Sequence, residues 1–130
     1  MLDTDICIYS IKRSSPALNK RLPQVSDTDA CISVITYGEL LKGAEKSTQP
    51  VKSRESVADL IAVLGVMPLD QDVGEEYSRI CAHLERKGTP IGANDLWIGA
   101  HALSLGLTLV TNNEREFKRI PKLRIENWAK

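Results

Sequence analysis

The sequence predicts a single α/β domain, residues 1–130, with a mainly parallel central sheet flanked by helices. Short apolar runs, at 30–35 and 107–111, alternate with longer stretches of helical periodicity, as in βα units around a parallel sheet. The length of 130 residues fits one domain. Hydrophobic residues make up 42% and charged residues 26%, the balance of a folded chain rather than a disordered one. Aromatic residues are only 5%, so aliphatic side chains must build the core.

Met1-Leu2 reads as the end of a short strand, with Asp3 at its C-terminal end and Asp5 opening a helix through Ser10. Ser15-Pro16 supplies an N-cap and a first-turn proline for a second helix, ending by Leu22-Pro23. Residues 30–35 form a buried strand. Thr36-Tyr37-Gly38-Glu39 matches a capping box, which predicts a helix from Thr36 to about Lys46. After Pro50, Val57, Leu60, Ile61 and Leu64 recur at helical spacing, and Gly65 is a fitting stop. Val66-Met67-Pro68-Leu69 suits an edge strand, because proline cannot donate to a ladder.

Asp70 or Asp72 caps the next helix, whose apolar face is Val73, Tyr77, Ile80, Cys81 and Leu84, and Gly88 ends it. A loop at 89–92 leads to a helix that starts near Asn94-Asp95 and stops at Gly106. That helix is apolar nearly all round, the mark of a central, buried position. Residues 107–111 give the clearest strand, 112–117 a turn into a short helix, and 123–125 a last short strand. No repeat, linker or low-complexity stretch interrupts the chain.

Lys plus Arg and Asp plus Glu both number 17. Nucleic-acid binding would therefore have to come from local patches rather than net charge. Such patches exist: Lys12, Arg13, Lys20 and Arg21 fall in a stretch without acids, and Arg115, Lys118, Arg119, Lys122 and Arg124 surround the single acid Glu116. Asp59, Asp70, Asp72, Glu75 and Glu76 form an acidic stretch without bases. The 3 cysteines, widely spaced at 7, 31 and 81, argue against a disulfide framework or zinc knuckle. No apolar run approaches the ~20 residues of a membrane span. The N-terminus lacks a signal peptide, so a cytoplasmic protein that does not engage membranes is expected.

The placement of acids points to chemistry. Asp3 ends the first strand, Glu39 follows the second, Asp95 begins the apolar helix, and Glu116 follows the last clear strand. In open parallel sheets, ligands bind outside the carboxyl ends of the strands, so these residues converge on one edge. Asp5 is a fifth candidate. Crowded carboxylates repel unless protonated or bridged by a cation, and an all-oxygen set suits Mg²⁺ or Mn²⁺. Such an ion polarises a phosphoryl oxygen and activates water, which suggests phosphate-ester chemistry. Each acid has a blander reading as well. Glu39 completes the capping box with Thr36, Asn94 and Asp95 are good N-caps, and Glu116 alone is an ordinary surface acid. Asp3 is hardest to dismiss, because a carboxylate at an apolar strand end is costly unless it binds something.

Four segments together resemble a known family. Met1-Leu2-Asp3-Thr4-Asp5-Ile6, Thr36-Tyr37-Gly38-Glu39-Leu40, Pro90-Ile91-Gly92-Ala93-Asn94-Asp95 and 110–117 (VTNNEREF) are similar to the signature segments of PIN-domain ribonucleases. The resemblance is closest to VapC-type toxins of bacterial toxin–antitoxin pairs, and extends to Glu126-Asn127-Trp128. It implies a PIN-like fold and an endoribonuclease dependent on one or two Mg²⁺ ions, with Mn²⁺ as substitute. It also implies homodimerisation within a larger toxin–antitoxin complex, and neutralisation by a VapB-type antitoxin. Asp3, Glu39 and Asp95 match the core metal-site acids, with Glu39 acting directly or through water. Glu116 matches a fourth acid that is often Asp, Thr4 an active-site hydroxyl, and Thr111 and Asn113 supporting polar residues. Asp5 departs from the more usual Asn; it either adds to the metal site or caps the first helix, and the capping role is the expected one. RNA, with tRNA and in particular initiator tRNA as leading candidates, is the implied substrate. Water would attack the phosphodiester in line, leaving a 5′-phosphate and a 3′-hydroxyl.

Lys12, Arg13, Lys20 and Arg21 after the first segment, and Arg115, Lys118 and Arg119 within and after the last, are candidates to hold RNA phosphates. His83 reads as solvated and His101 as a core histidine; Trp97 and Trp128 read as packing residues. Two competing functions remain open. Asp3-Thr4-Asp5 mimics the start of an aspartyl-nucleophile phosphohydrolase, which a covalent phosphate trap on Asp3 would reveal. A non-catalytic PIN-like module would bind RNA or protein without metal-dependent cleavage.

Overall fold

Strand alternation divides this molecule into two cores. In the computed structural model, which describes residues 1–130 with the side chain of Asp27 excepted, Met1 and Leu109 point to one face of the sheet and Leu2 and Val110 to the other. Neighbours along a strand face opposite ways, so each strand feeds both cores.

The sheet is parallel. β1 (Cys31–Ser33) pairs with β2 (Gly65–Met67), and β3 (Leu109–Val110) with β4 (Ile125–Glu126). Leu2 bridges Ile32 on one side and Val110 on the other. The N-terminal residues thus form the middle lane, in the order β2, β1, Met1-Leu2, β3, β4. This lane is sealed by Leu2 N–H donating to Cys31 O (2.9 Å), Val110 N–H to Met1 O (2.8 Å) and Asp3 N–H to Val110 O (3.0 Å). Every lane ends on the same edge, as the predicted fold class requires.

The helices flank this sheet. α1 (Thr4–Lys12), α2 (Pro16–Arg21), α3 (Val34–Glu45) and α4 (Pro50–Val63) bring Ile6, Cys7, Leu18, Leu40 and Val57 to one core. α5 (Gln71–Lys87), α6 (Ala93–Ser104) and α7 (Glu114–Phe117) bring Val73, Ile80, Leu84, Leu96, Ile98 and Phe117 to the other. α6 is the central helix that its apolar sequence predicts: Leu96, Ile98, Gly99, Ala100, His101 and Ala102 are buried. A Cβ on Gly99 would lie 2.4 Å from Ile120 Cδ1, so a larger residue there would force the end of the Ile120 side chain to move. Tyr77 of α5 stacks on Trp97 of α6 with ring centroids 3.8 Å apart. Among the described residues, no helix is long and apolar enough to cross a membrane.

Several boundaries differ from expectation, and each shift moves a polar side chain. Asp3, not Asp5, caps α1: its carboxylate accepts from Ile6 N–H, while Asp5 sits exposed in the first turn. α3 begins at Val34 with Ser33 as its cap. The chain leaves the sheet at Ser33, whose Oγ is already placed to accept from Ile35 N–H at 3.1 Å. Thr36 therefore lies buried inside the helix, and the capping box with Glu39 does not form. α6 starts at Ala93 on Gly92 without a side-chain cap, so neither Asn94 nor Asp95 caps it. β3 spans only Leu109–Val110, and the last strand is Ile125–Glu126 rather than 123–125. Ser15 and Asp70 cap α2 and α5 as predicted.

Candidate active site

The carboxyl edge of the sheet carries a chain of hydrogen bonds. Asp3 is buried at the end of the middle lane. Its Oδ1 accepts from Ile6 N–H (3.0 Å) and its Oδ2 from the Thr111 hydroxyl (2.5 Å). Thr111 Oγ1 accepts in turn from Asn113 N–H (2.8 Å), and Asn113 Nδ2 donates to Glu116 Oε2 (2.5 Å). The other oxygen of Glu116 accepts from Gly92 N–H at 2.7 Å. Gly92 is the residue on which α6 begins, so Glu116 ties the turn after β3 to the helix that carries Asp95. Glu39, on α3, accepts from the Thr4 hydroxyl at 2.6 Å, and Thr36 Oγ1 lies 3.2 Å from that same hydroxyl.

These elements enclose one cleft of about 500 Å³ lined by Asp3, Thr4, Asp5, Glu39, Asp95 and Asn113. Its electrostatics are those of crowded anions. Burial, and to a smaller degree the charges of Asp5 and Glu39, pushes Asp3 up to about 6, against the opposing hydrogen bonds from Thr111 and Ile6. Asp95 is pushed up to about 7, first by burial and then by Glu116, Asp3, Glu39 and Asp5. The donor set is all oxygen and anionic, which fits a hard divalent cation. Among the described residues no three acidic, histidine or cysteine side chains already stand in chelating array. Mutual repulsion keeps such anions apart, and a cation between them reverses its sign.

Of the remaining predicted residues, Thr111 and Asn113 lie in the hydrogen-bonded chain and Thr4 lines the cleft. Glu116 accepts one hydrogen bond on each oxygen, from Gly92 and Asn113, beside the start of the helix that carries Asp95. The basic candidates scatter. Lys12 lines a neighbouring groove of about 410 Å³ that shares Ile8, Glu39 and Gly43 with the cleft. Arg13 ends α1 in the left-handed conformation, and Lys20, Arg115 and Lys118 are exposed. Arg21 is exposed, its guanidinium 4.7 Å from the Trp128 ring centre and 3.9 Å from Glu126. Arg119 donates to Pro90 O at 3.0 Å, reinforcing the loop before α6. His101 is buried, with Nδ1 2.8 Å from Ser33 Oγ, and burial lowers its pKa. Lys42 of α3 and Lys46, the C-cap that follows it, do line the cleft, although nothing in the sequence singles them out.

The family model of the PIN domain matches residues 1–123. The chain belongs to the PIN-domain family. Within it, the chain is of VapC type. It is 44% identical to the tRNA(fMet)-specific endonuclease VapC of Salmonella typhimurium, over 99% of this chain and 97% of that one. It is 42% identical to ribonuclease VapC2 of Haemophilus influenzae over the same shares. Among solved structures, DNA-bound VapBC from S. typhimurium superposes with a TM-score of 0.93, 44% identity, and coverage of 98% of this chain and 96% of that chain. VapBC2 from Rickettsia felis, bound to a promoter DNA fragment, gives a TM-score of 0.92 at 36% identity, covering 98% and 97%. The PIN fold and the VapC-type resemblance read from the sequence are thereby borne out.

Proposed function

We propose that this PIN-domain ribonuclease is the toxin of a VapBC-type pair: an endoribonuclease that hydrolyses RNA with Mg²⁺, or Mn²⁺ in its place, held by Asp3, Asp95 and Glu39. The observation that carries this reading is the burial and crowding of Asp3 and Asp95, which lifts their carboxyls to about 6 and about 7 at one cleft. A fold tolerates such mutual repulsion where a cation is to be bound. When bound, the ion supplies Lewis-acid polarisation of the phosphoryl oxygen and lowers the pKa of water.

The protein's part is orientation. Thr111 and Ile6 N–H fix the two oxygens of Asp3. Thr4 fixes one oxygen of Glu39. Glu116, through Gly92 and Asn113, fixes the start of α6 and hence Asp95; in this role it supports the site rather than ligating. Asp5, exposed at the cleft mouth, adds negative charge and is the remaining candidate ligand. The relatives named for tRNA(fMet) cleavage make initiator tRNA the first substrate to test. The VapBC complexes among the solved relatives make a VapB-type antitoxin the expected inhibitor, with the toxin acting as a homodimer in the cytoplasm. The test is cleavage of tRNA by the purified, antitoxin-free protein. Mg²⁺ or Mn²⁺ should support it and EDTA should abolish it. Cleavage undiminished after rigorous chelation would remove the metal from the mechanism.

A further inference from the structure

α3 places more than Glu39 at the cleft. Lys42, Gly43 and Lys46 line the same wall, and the spacing 39, 42/43, 46 keeps them on one face of the helix. Lys42 and Lys46 are separated by about 6 Å along the axis at ~1.5 Å rise per residue. A row of two cations thus leads away from the carboxylates, and both are exposed. Neither forms an ion pair among the described residues. They share a cleft with Asp3, Asp5, Glu39 and Asp95 yet are not used to neutralise them. Between them, a Cβ on Gly43 would meet nothing within 4 Å. Packing therefore does not demand glycine there, although glycine weakens a helix interior. What the glycine provides is a low wall, with backbone accessible from the cleft.

The geometry points to α3 as the track for the RNA strand next to the cleavage point: successive phosphates rest on Lys42 and Lys46, and the backbone passes over Gly43. This rests on the ribonuclease reading and adds residues to it. The acids hold the ion and the bond to be cut, and repel every other phosphate. The two lysines are the cations of the cleft lining able to counter that repulsion, and they fix which way the strand leaves.

The test is the pair Lys42→Gln/Lys46→Gln. Glutamine matches lysine in helix propensity, so the exposed helix face stays intact, and a melting curve checks this. Binding of bulk tRNA is measured across a salt series in the non-cleaving Asp95→Asn background. Each lost phosphate contact lowers the slope of log affinity against log salt by ~0.7 to 0.9, so the pair should lower it by about 1.4 to 1.8. In the otherwise wild-type enzyme, KM at low salt should rise by roughly tenfold with kcat little changed, as when uniform binding is lost. The control pair Lys52→Gln/Lys87→Gln removes the same charge elsewhere and should change neither. If the wild type cuts RNA while the α3 pair leaves slope and KM unchanged, or the control pair matches it, the track is refuted and the ribonuclease reading stands. If the wild type neither binds nor cuts RNA, both fall. Gly43→Leu is the second variant: it should melt no lower than wild type but bind tRNA more weakly, and undiminished binding would refute the passage over Gly43.

Discussion

Two neighbouring strand–helix junctions solve the same problem with different side chains. At the end of the middle lane, Asp3 caps α1 by accepting from Ile6 N–H. At the end of β1, Ser33 caps α3 by accepting from Ile35 N–H. Both are buried, at 3% and 0% exposure. Ser33 meets His101, a neutral partner while burial holds its pKa down. Asp3 meets Thr111, and burial first, then the charges of Asp5 and Glu39, raises its carboxyl to about 6. Ser and Asp are about equal as caps, so capping does not explain a buried charge. The contrast isolates what is surplus to folding at Asp3: an anion held where it destabilises the metal-free protein, which makes sense if a cation binds there.

The largest expected effect tests this surplus directly. Asp3→Asn keeps the cap through its one oxygen and nearly the same shape, removes the charge, and puts an amide N–H where the Thr111 hydroxyl now finds an acceptor. Mutating a residue that merely supports a metal ligand costs ~10–100-fold, so losing a ligand's charge should cost more than about 10²-fold in tRNA cleavage. The metal-free variant should lose no more stability than the ~1 kcal/mol of that one hydrogen bond from Thr111. Asp95→Asn should behave alike, since Asp95 does not cap α6. A metal-free Asp3→Asn protein that is strongly destabilised would mean that the charge itself is structural, and the contrast with Ser33 would break.

Metal linkage should separate the two junctions next. Free Mn²⁺ at 100-fold above its dissociation constant stabilises the folded state by about 2.7 kcal/mol. Thermal melts with and without Mn²⁺ should show this gain in wild type, and much less of it in Asp3→Asn or Asp95→Asn. Equal gains in all three would place the ion elsewhere.

A pH series sharpens the same point. Asp3 and Asp95 titrate near about 6 and about 7 in the fold, above the ordinary carboxylate range near ~4 in the unfolded chain. The folded state therefore binds more protons than the unfolded state between these values, and their contribution to stability falls as pH rises through that window. His101, lowered by burial, works in the opposite direction, so the useful quantity is the difference between variants. The metal-free stability of wild type relative to Asp95→Asn should drop from pH 5 to pH 8, and Mn²⁺ should abolish the drop by favouring the deprotonated carboxylates. A flat difference would mean that Asp95 ionises like a solvated acid.

The sequence made Asp3 and Glu39 legible because each stands just beyond an apolar run, where a parallel sheet gathers its ligands, and Asp95 because it opens an apolar helix. The junction chemistry was harder to read. Asp5 and Thr36 look like caps from spacing alone, but where the chain leaves a strand of two or three residues depends on pairing with distant lanes, as in the bridges of Leu2 to Ile32 and Val110. Lys42 and Lys46 were invisible for another reason: a lysine on a helix surface is ordinary until the helix is known to wall a cleft. The tether from Glu116 to Gly92 spans two loops that no local pattern joins.

The smallest effect belongs to the neutral junction. Ser33 Oγ accepts from Ile35 N–H and also hydrogen-bonds His101 Nδ1, in the direction that the ring's tautomer sets. Ser33→Ala removes a cap, worth ~1 kcal/mol, and leaves a buried ring nitrogen without its hydrogen-bond partner, at ~1–3 kcal/mol. The net loss should be about 2 to 4 kcal/mol in both the presence and the absence of Mn²⁺, with the Mn²⁺-induced gain and its pH dependence unchanged. His101→Phe removes the other partner and leaves the serine hydroxyl without that hydrogen bond. The double variant has no orphaned polar group between the helices, so its loss should be smaller than the sum of the singles by at least about 0.5 kcal/mol. Denaturant melts of the four proteins measure this coupling. Strict additivity would mean that Ser33 acts on Ile35 alone. A Mn²⁺ gain lost in Ser33→Ala would mean that this junction, like that of Asp3, serves the metal and not only the fold.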